Sequence, residues 1–115
     1  MHIDEFREYC LTKKGTTEEF PFDSSTLAFK VMGKIFALCD VDEFESFNLK
    51  CDPEYAVELR EGYPDLIVPG YHMNKKHWNI VKSSGLDINL QKKLIDLSYD
   101  LVVASLPKKL QVELS

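Results

Sequence analysis

The sequence has little of what the common catalytic and phosphate-binding motifs require. Its five glycines form neither a Gly-x-Gly-x-x-Gly loop nor a Walker-type loop, which cradle phosphates in many nucleotide-binding proteins. It has no Gly-x-Ser-x-Gly turn, which would present a nucleophilic serine. Its apolar runs are far shorter than the roughly 20 residues that cross a bilayer. These absences exclude the familiar nucleotide-binding motifs, this hydrolase motif and a predicted membrane-spanning helix.

Cysteine and arginine are also scarce. The three cysteines, Cys10, Cys39 and Cys51, are odd in number, lie in apolar stretches and include no Cys-x-x-Cys pair. We therefore expect free buried thiols in a reducing compartment rather than disulfides or a zinc site. There are two arginines, Arg7 and Arg60. Because arginine is the commonest reader of guanine edges, sequence-specific DNA recognition is not indicated.

What the sequence does contain is typical of one globular domain. Its 115 residues are 44% hydrophobic and 29% charged, with a formal net charge of −5. This composition supplies a core and carries too little net charge for a disordered chain, so we predict a single domain over residues 1–115. The acidic balance disfavours indiscriminate binding to nucleic acids. The chain starts without a basic segment followed by an apolar one, and we expect a cytoplasmic monomer that does not associate with membranes.

Three segments carry the signals of helices. Apolar residues at helical spacing indicate a first helix over 2–13. Asp52-Pro53 combines an N-cap with a proline at the first helical position, which predicts a helix over 52–61. Asp87 caps the longest predicted helix, whose leucines recur every three or four residues until Pro107 stops it.

Alternating apolar and polar residues predict the strands. The alternation occurs in four segments, of which the first two form a hairpin around Gly33: 26–32, 34–39, 47–51 and 77–82. Residues 16–25 are typical of a loop, and 63–71 are typical of an irregular or edge-like connection. Hairpin-linked strands between helices indicate an α+β domain with an antiparallel sheet. We expect the helices to pack on one face of the sheet and the other face to remain wet.

The segment 70–79 is the first candidate for a binding site. Its sequence, GYHMNKKHWN, places Lys75, Lys76, His77 and Trp78 side by side. Lysines neutralise phosphates and aromatic rings stack on bases, so this mixture suits contact with DNA. The alternative is that the two lysines are simply solvated at a turn and that Trp78 packs in the core.

The wet face of the sheet is the second candidate. The alternation places Lys30 and Lys50 on that face, and together with Lys34, Lys75 and Lys76 they predict a basic side of an otherwise acidic molecule. Such a patch binds phosphates with an affinity that falls steeply as salt rises. The alternative is that these lysines keep the strands from self-association.

Metal binding and catalysis are indicated more weakly. The acidic residues lie on the first helix and on one loop: Asp4, Glu5, Glu8, Asp40, Asp42, Glu43 and Glu45. Neither group has the order of an EF-hand loop, so a solvated acidic surface is the preferred interpretation and no metal site is predicted. Nothing in the sequence places a base beside a cysteine. We therefore expect neither an enzyme nor a bound cofactor.

Several blocks of sequence, in order along nearly the whole chain, resemble the MmcQ/YjbR family. The blocks cover residues 20–22, 29–38, 49–56, 69–79, 98–104 and 106–109. The resemblance implies a CyaY-like (frataxin-like) α+β fold in which two helices pack on an antiparallel sheet. It also implies a DNA-binding role in which hairpins of the sheet approach the duplex. By resemblance, DNA contact is assigned to Lys75, Lys76, His77 and Trp78, and more loosely to Lys30, Lys34 and Lys50.

The sequence thus leads to a DNA-binding protein that contacts phosphates through a basic sheet face and the turn at 75–78. An alternative is a non-enzymatic domain that binds a protein or a small ligand through the surface formed by Tyr71, His72 and Trp78. A third hypothesis, frataxin-like iron handling through Asp4, Glu5 and Glu8, rests on a sparse pattern of acids. The natural partner is not identified by the sequence.

Overall fold

The computed structural model describes residues 1–71 and 73–115 and has ten helices and strands in that part of the chain. In chain order they are α1 (Ile3–Leu11), β1 (Thr16–Glu19), β2 (Thr26–Val31), β3 (Lys34–Asp40), β4 (Ser46–Lys50), α2 (Pro53–Gly62), β5 (Ile67–Pro69), β6 (Trp78–Lys82), α3 (Ile88–Ala104) and α4 (Lys108–Leu114). The six strands form one sheet in the order β1-β2-β3-β4-β6-β5, and every neighbouring pair is antiparallel. The predicted α+β class is therefore confirmed.

The predicted helix caps are present. The Asp52 side chain accepts a hydrogen bond from the Tyr55 amide, and Pro53 occupies the first position of α2. The Asp87 side chain accepts from the Leu90 amide in the same way at the start of α3. A side-chain oxygen at these positions satisfies an amide that has no partner within the helix.

One face of the sheet carries the core. Its apolar residues alternate along the strands, and Leu27, Cys39, Phe47, Val81 and Ile67 lie side by side across five of them. All five are buried, as the period of two requires for one covered face.

The helices supply the other half of this core. Phe6 of α1 stacks on Phe47 with ring centroids 4.4 Å apart and meets the edge of Phe29 at 5.5 Å. From α3, Leu94, Ile95 and Val102 join the same cluster. The prediction of helices on one face of the sheet agrees with these contacts.

Two elements differ from the prediction. Residues 16–25 were expected to be loop, yet Thr16–Glu19 form β1, an edge strand that pairs with β2. Its sequence, Thr-Thr-Glu-Glu, has no apolar alternation, so only the pairing with β2 makes it a strand. The second difference is α4, which follows Pro107 where no helix was expected. Leu114 of this short helix packs partly buried against the core, which supplies the stabilisation that a seven-residue helix lacks alone.

The second face of the sheet is less exposed to solvent than expected. We call it the open face, because the helices leave it free. Ala28, Leu38 and Trp78 lie on it, and they are exposed to 0%, 5% and 8%. Two connections approach this face, since Phe22 and Met73 line the same groove as Leu38. The prediction that this face stays wet is wrong for its centre, because the loops as well as the helices cover the sheet.

Within the described residues, no helix combines the length and the apolar character that crossing a membrane requires.

Candidate nucleic-acid interface

Strand register brings three of the predicted lysines to one corner of the sheet. Lys50, the last residue of β4, pairs with Trp78, the first residue of β6. The Cys51 amide donates a 2.7 Å hydrogen bond to the His77 carbonyl, which continues the ladder into the preceding turn. The turn with Lys75 and Lys76, which directly precedes Trp78, therefore adjoins the end of β4 that carries Lys50. We call the group of Lys50, Lys75, Lys76 and Arg60 the basic corner.

The turn that carries Lys75 and Lys76 is held by Asn74. The Asn74 side-chain oxygen accepts a 3.0 Å hydrogen bond from the Lys76 amide. Its carbonyl accepts from the amides of His77 and Trp78, both at 3.0 Å. Asparagine commonly stabilises turns by such local bonds. The predicted turn is confirmed, and both lysine side chains are exposed.

Arg60 of α2 ties this turn to the helices, and the sequence analysis assigned it no role. One terminal nitrogen of its guanidinium donates to the Lys75 carbonyl at 3.2 Å and to the Asn79 side-chain oxygen at 3.1 Å. Asn79 is 2% exposed and donates in turn to the Ala56 carbonyl of α2. Arg60 lies 15 residues before its partner, so no local sequence signal could have indicated this contact.

Ser98 of α3 fixes the backbone on the other side of the basic corner. Its hydroxyl donates a 2.6 Å hydrogen bond to the Phe36 carbonyl and accepts a 2.9 Å bond from the Lys50 amide. The ladder between β3 and β4 ends one residue earlier, at Ala37 and Leu49. The Ser98 side chain therefore takes the place of the next hydrogen bond between β3 and β4 and holds the backbone of Lys50 in position.

The structure does not bring all five predicted lysines together. Lys30 lies on the open face at the same end of the sheet, but its ammonium forms an ion pair with Glu19 of β1. Lys34 begins β3, and its Nζ lies 3.5 Å from the Ser105 hydroxyl at the end of α3. Lys34 thus reaches toward the helices and away from the open face. Within the described residues, Lys50, Lys75 and Lys76 have no carboxylate at ion-pair distance.

The aromatic part of the predicted site is mostly covered. Trp78 is 8% exposed, so its ring is not presented for stacking on a base, and the packing alternative for this residue describes it better. His77 is half-buried. Tyr71 is 58% exposed, and the Lys75 ammonium lies 5.4 Å from its ring centroid, a cation–π geometry. His72, which the alternative hypothesis included, lies outside the described residues.

Acidic residues border the basic corner on one side. Glu54 and Glu58 of α2 line an open depression of about 540 Å³ together with Arg60 and Lys76. A phosphate that approaches from the α2 side would meet these carboxylates. Approach from the side of the open face is favoured electrostatically, because like charges repel across such distances at low salt.

The cysteines do not form a reactive site. All three are buried and free. Burial raises the pKa of Cys39 to about 12 and that of Cys51 to about 11, and it raises the pKa of Cys10 still further. These thiols are protonated near neutral pH, whereas the thiolate is the nucleophile. In the described part of the chain, no three histidine, cysteine or acidic side chains are grouped so that they could hold a metal ion.

Comparison with known proteins identifies the family. A family model described as YjbR matches residues 11–101. The chain belongs to the YjbR family. Within the span of that match lie the whole sheet and all four residues of the basic corner. The resemblance predicted from the blocks of sequence is therefore confirmed.

Individual relatives support the same family membership. The chain is 39% identical to an uncharacterized protein, YbdF, of Escherichia coli O157:H7, with 78% of this chain and 75% of that protein aligned. The crystal structure of Deinococcus radiodurans protein DR2400, described as domain DUF419, matches with a TM-score of 0.91 at 39% identity, and covers 97% of this chain and 86% of that one. A Pseudomonas syringae protein matches with a TM-score of 0.72 at 28% identity over 88% and 98%. The two solved structures share the fold of this chain.

Proposed function

We propose that the chain binds DNA through phosphate contacts at the basic corner. The observation that supports this proposal best is the β4–β6 register, which sets Lys50 beside the exposed turn of Lys75 and Lys76, with no carboxylate paired to them among the described residues. Lysine ammonium groups at fixed positions neutralise phosphates without reading sequence. Arg60 and Asn74 hold the turn, so its order does not have to be formed on binding.

This binding does not discriminate between sequences. Both arginines already have partners, since Arg7 forms an ion pair with Glu18 and Arg60 bonds the backbone of the turn. Arg7 is engaged with Glu18 through the edge that a bidentate contact with guanine needs, and Arg60 is anchored to the turn by one terminal nitrogen, which disfavours base readout. We expect duplexes of unrelated sequence to bind with similar affinity.

Salt dependence tests the proposal. Three phosphate contacts predict a slope of about −2.7 for the logarithm of affinity against the logarithm of salt, or about a 40-fold loss between 50 and 200 mM. The measurement is fluorescence anisotropy of a labelled 16-base-pair duplex. The absence of binding at 50 mM salt would overturn the proposal.

The double variant Lys75→Ala/Lys76→Ala tests whether the basic corner is the surface that binds DNA. It removes two contacts, so we expect weaker binding to every duplex and a slope that is smaller in magnitude by about 1.8. Lys82→Ala/Lys93→Ala is the matched control, because it makes the same change in net charge at exposed positions outside the basic corner. An equal loss in both double variants would show that only overall charge matters.

A second candidate function uses the same segment for a partner other than DNA. The exposed ring of Tyr71 beside the Lys75 ammonium favours it, since such amphipathic pairs are common at recognition surfaces. Tyr71→Ser separates the two candidates, because it removes the ring and keeps the charge. We expect DNA affinity to change less than twofold in this variant; a large loss of binding to a captured protein partner would favour the second candidate.

A further inference from the structure

The open face carries a groove at the end opposite the basic corner. Its volume is about 480 Å³, and its walls come from three segments that are distant in sequence. Phe22 contributes from the loop after β1, Leu38 and Asn48 from the sheet, and Met73 from the connection before β6. The size falls in the range of pockets that hold small organic molecules.

The acceptors of this groove include three carboxylates and one amide oxygen that has no partner among the described residues. The side-chain oxygen of Asn48 is buried and has no partner among the described residues. On the open face Asn48 stands between Leu38 of β3 and Ile80 of β6, which offer it no polar side chain. A buried carbonyl oxygen without a donor is uncommon in native proteins and favours a ligand that brings an N–H group.

The charged side chains that line the groove, within the described part of the chain, are the carboxylates of Asp23, Asp40 and Glu43. Lys82 lies beside the groove, since it pairs across the strands with the lining residue Ser46. Asp23 accepts from the amides of Ser25 and Thr26, and these bonds lower the pKa of its carboxyl group. Asp23 is thus ionised at neutral pH, so the groove is a poor site for DNA or any other anion.

The apolar part of the groove faces the same space. Phe22 is 67% exposed, and with Leu38 and Met73 it provides hydrocarbon surface beside the carboxylates. An exposed phenylalanine that borders a groove is a common feature of ligand sites, where apolar walls surround a few polar groups.

We propose that this groove binds a small organic cation, a primary amine or guanidinium carried on a short apolar body. The N–H groups would meet Asn48 and the carboxylates of Asp40 and Glu43, and the apolar body would lie against Phe22, Leu38 and Met73. This site is separate from the basic corner, so its occupancy does not depend on DNA binding. A primary amine and a guanidinium can both make these contacts, and the two arms of the titration distinguish between them.

The test is an NMR titration of the ¹⁵N-labelled chain with 4-phenylbutylamine and, in a second arm, with 4-phenylbutylguanidine. The amide signals of Leu38 and Asn48 and the Asn48 side-chain signals should shift, while those of Lys75 and Lys76 should not. The neutral 4-phenylbutanol and the anionic 4-phenylbutyrate are matched controls of similar size. Binding of either control as tight as that of both cations, or shifts confined to other residues, would overturn the proposal.

Two variants locate the contacts. Glu43→Gln should weaken binding of the amine about two- to fivefold, as expected for a partly exposed ion pair, whereas Glu61→Gln on α2 should leave it unchanged. Asn48→Leu should weaken binding and raise the midpoint of urea unfolding, because it replaces an unpaired buried oxygen by an apolar group between Leu38 and Ile80. Unchanged binding in both groove variants contradicts the assignment. Shifts of groove signals that depend only on protein concentration would show that a second copy occupies it instead.

Discussion

At Gly70 the backbone comes close to the Cβ atom and the carbonyl of Trp78. Its amide donates a 2.8 Å hydrogen bond to the Trp78 carbonyl. A Cβ atom at Gly70 would lie 2.9 Å from the Trp78 Cβ and 3.1 Å from its carbonyl oxygen. Contacts that short force the two segments apart, and one of those segments carries Lys75 and Lys76.

We therefore expect Gly70→Ala to lower the free energy of unfolding by about 1–3 kcal/mol, the usual cost of overpacking. Urea unfolding followed by Trp78 fluorescence measures it. Gly62→Ala is the matched control, because nothing lies within 4 Å of a Cβ at the end of α2. That variant should be neutral or slightly stabilising, since alanine restricts the unfolded chain. Equal unfolding midpoints for the two variants would contradict the close approach.

At the scale of elements, α3 is joined to the sheet by polar as well as apolar contacts. The Ser98 hydroxyl bridges the Phe36 carbonyl and the Lys50 amide, and Ser98 is fully buried. Another buried polar residue of α3, Gln91, donates to the carbonyls of Ser83 and Leu86. These bonds fix the position of the helix along the strands, which apolar contacts alone specify less strictly.

Ser98→Ala should destabilise the fold by about 1–3 kcal/mol, because it leaves a buried carbonyl and a buried amide without partners. The expected change is a lower midpoint of urea unfolding with an unchanged slope. Ser24→Ala, at an exposed loop position, should change the free energy by less than about 0.5 kcal/mol. A similar small effect at Ser98 would show that the hydroxyl does not replace a rung of the ladder.

Some helices and strands of this chain are encoded by local sequence patterns, and others are not. Strands β2, β3, β4 and β6 were predictable because apolar and polar residues alternate locally in their sequence and a glycine turn separates the first two. In the structure burial alternates strictly along β4, whereas the centres of β2 and β3 are buried on both faces. The starts of α2 and α3 were predictable because Asp52 and Asp87 are local caps. In contrast, β1 and α4 depend on packing partners that are far away in sequence, and no local pattern encodes such partners.

The candidate site likewise combines features that local sequence encodes with features that it does not. The turn at Asn74 is a local signal and was predicted, whereas Arg60 reaches it across 15 residues. The separation of Lys34 from Lys50 depends on the direction of a long side chain at a hairpin end, and strand alternation alone does not determine that direction. The groove could not be predicted, because three distant segments line it.

At the scale of the whole molecule, carboxylates are concentrated at one end of the open face. Lys50 lies at the other end, whereas Asp40, Glu43 and a single lysine, Lys82, lie at or near the acidic end, where Thr26 pairs with Asp40 and Ser46 pairs with Lys82. The net charge of −5 conceals this separation. Under the proposed function, DNA at the basic corner would be held in a limited set of orientations, because the carboxylates of the groove repel its phosphates.

The burial of all three thiols predicts that they react only after unfolding. Cys10, Cys39 and Cys51 are buried, and burial raises the pKa of each. We expect the folded protein at pH 7.5 to react with a disulfide reagent such as DTNB at least about tenfold more slowly than the unfolded protein, because thiolate formation and access are both suppressed. Absorbance at 412 nm measures the reaction. One fast-reacting cysteine in the absence of urea would show that part of the core opens locally.

The two edge strands of the sheet carry features that disfavour pairing with strands of other proteins. At one edge of the sheet, Glu18 and Glu19 of β1 place carboxylates on opposite faces, where they pair with Arg7 and Lys30, and at the other edge β5 has three residues and ends at Pro69. A foreign strand that tried to add there would meet either carboxylates or a residue without an amide hydrogen. Both edges of the sheet therefore disfavour strand exchange and growth into amyloid.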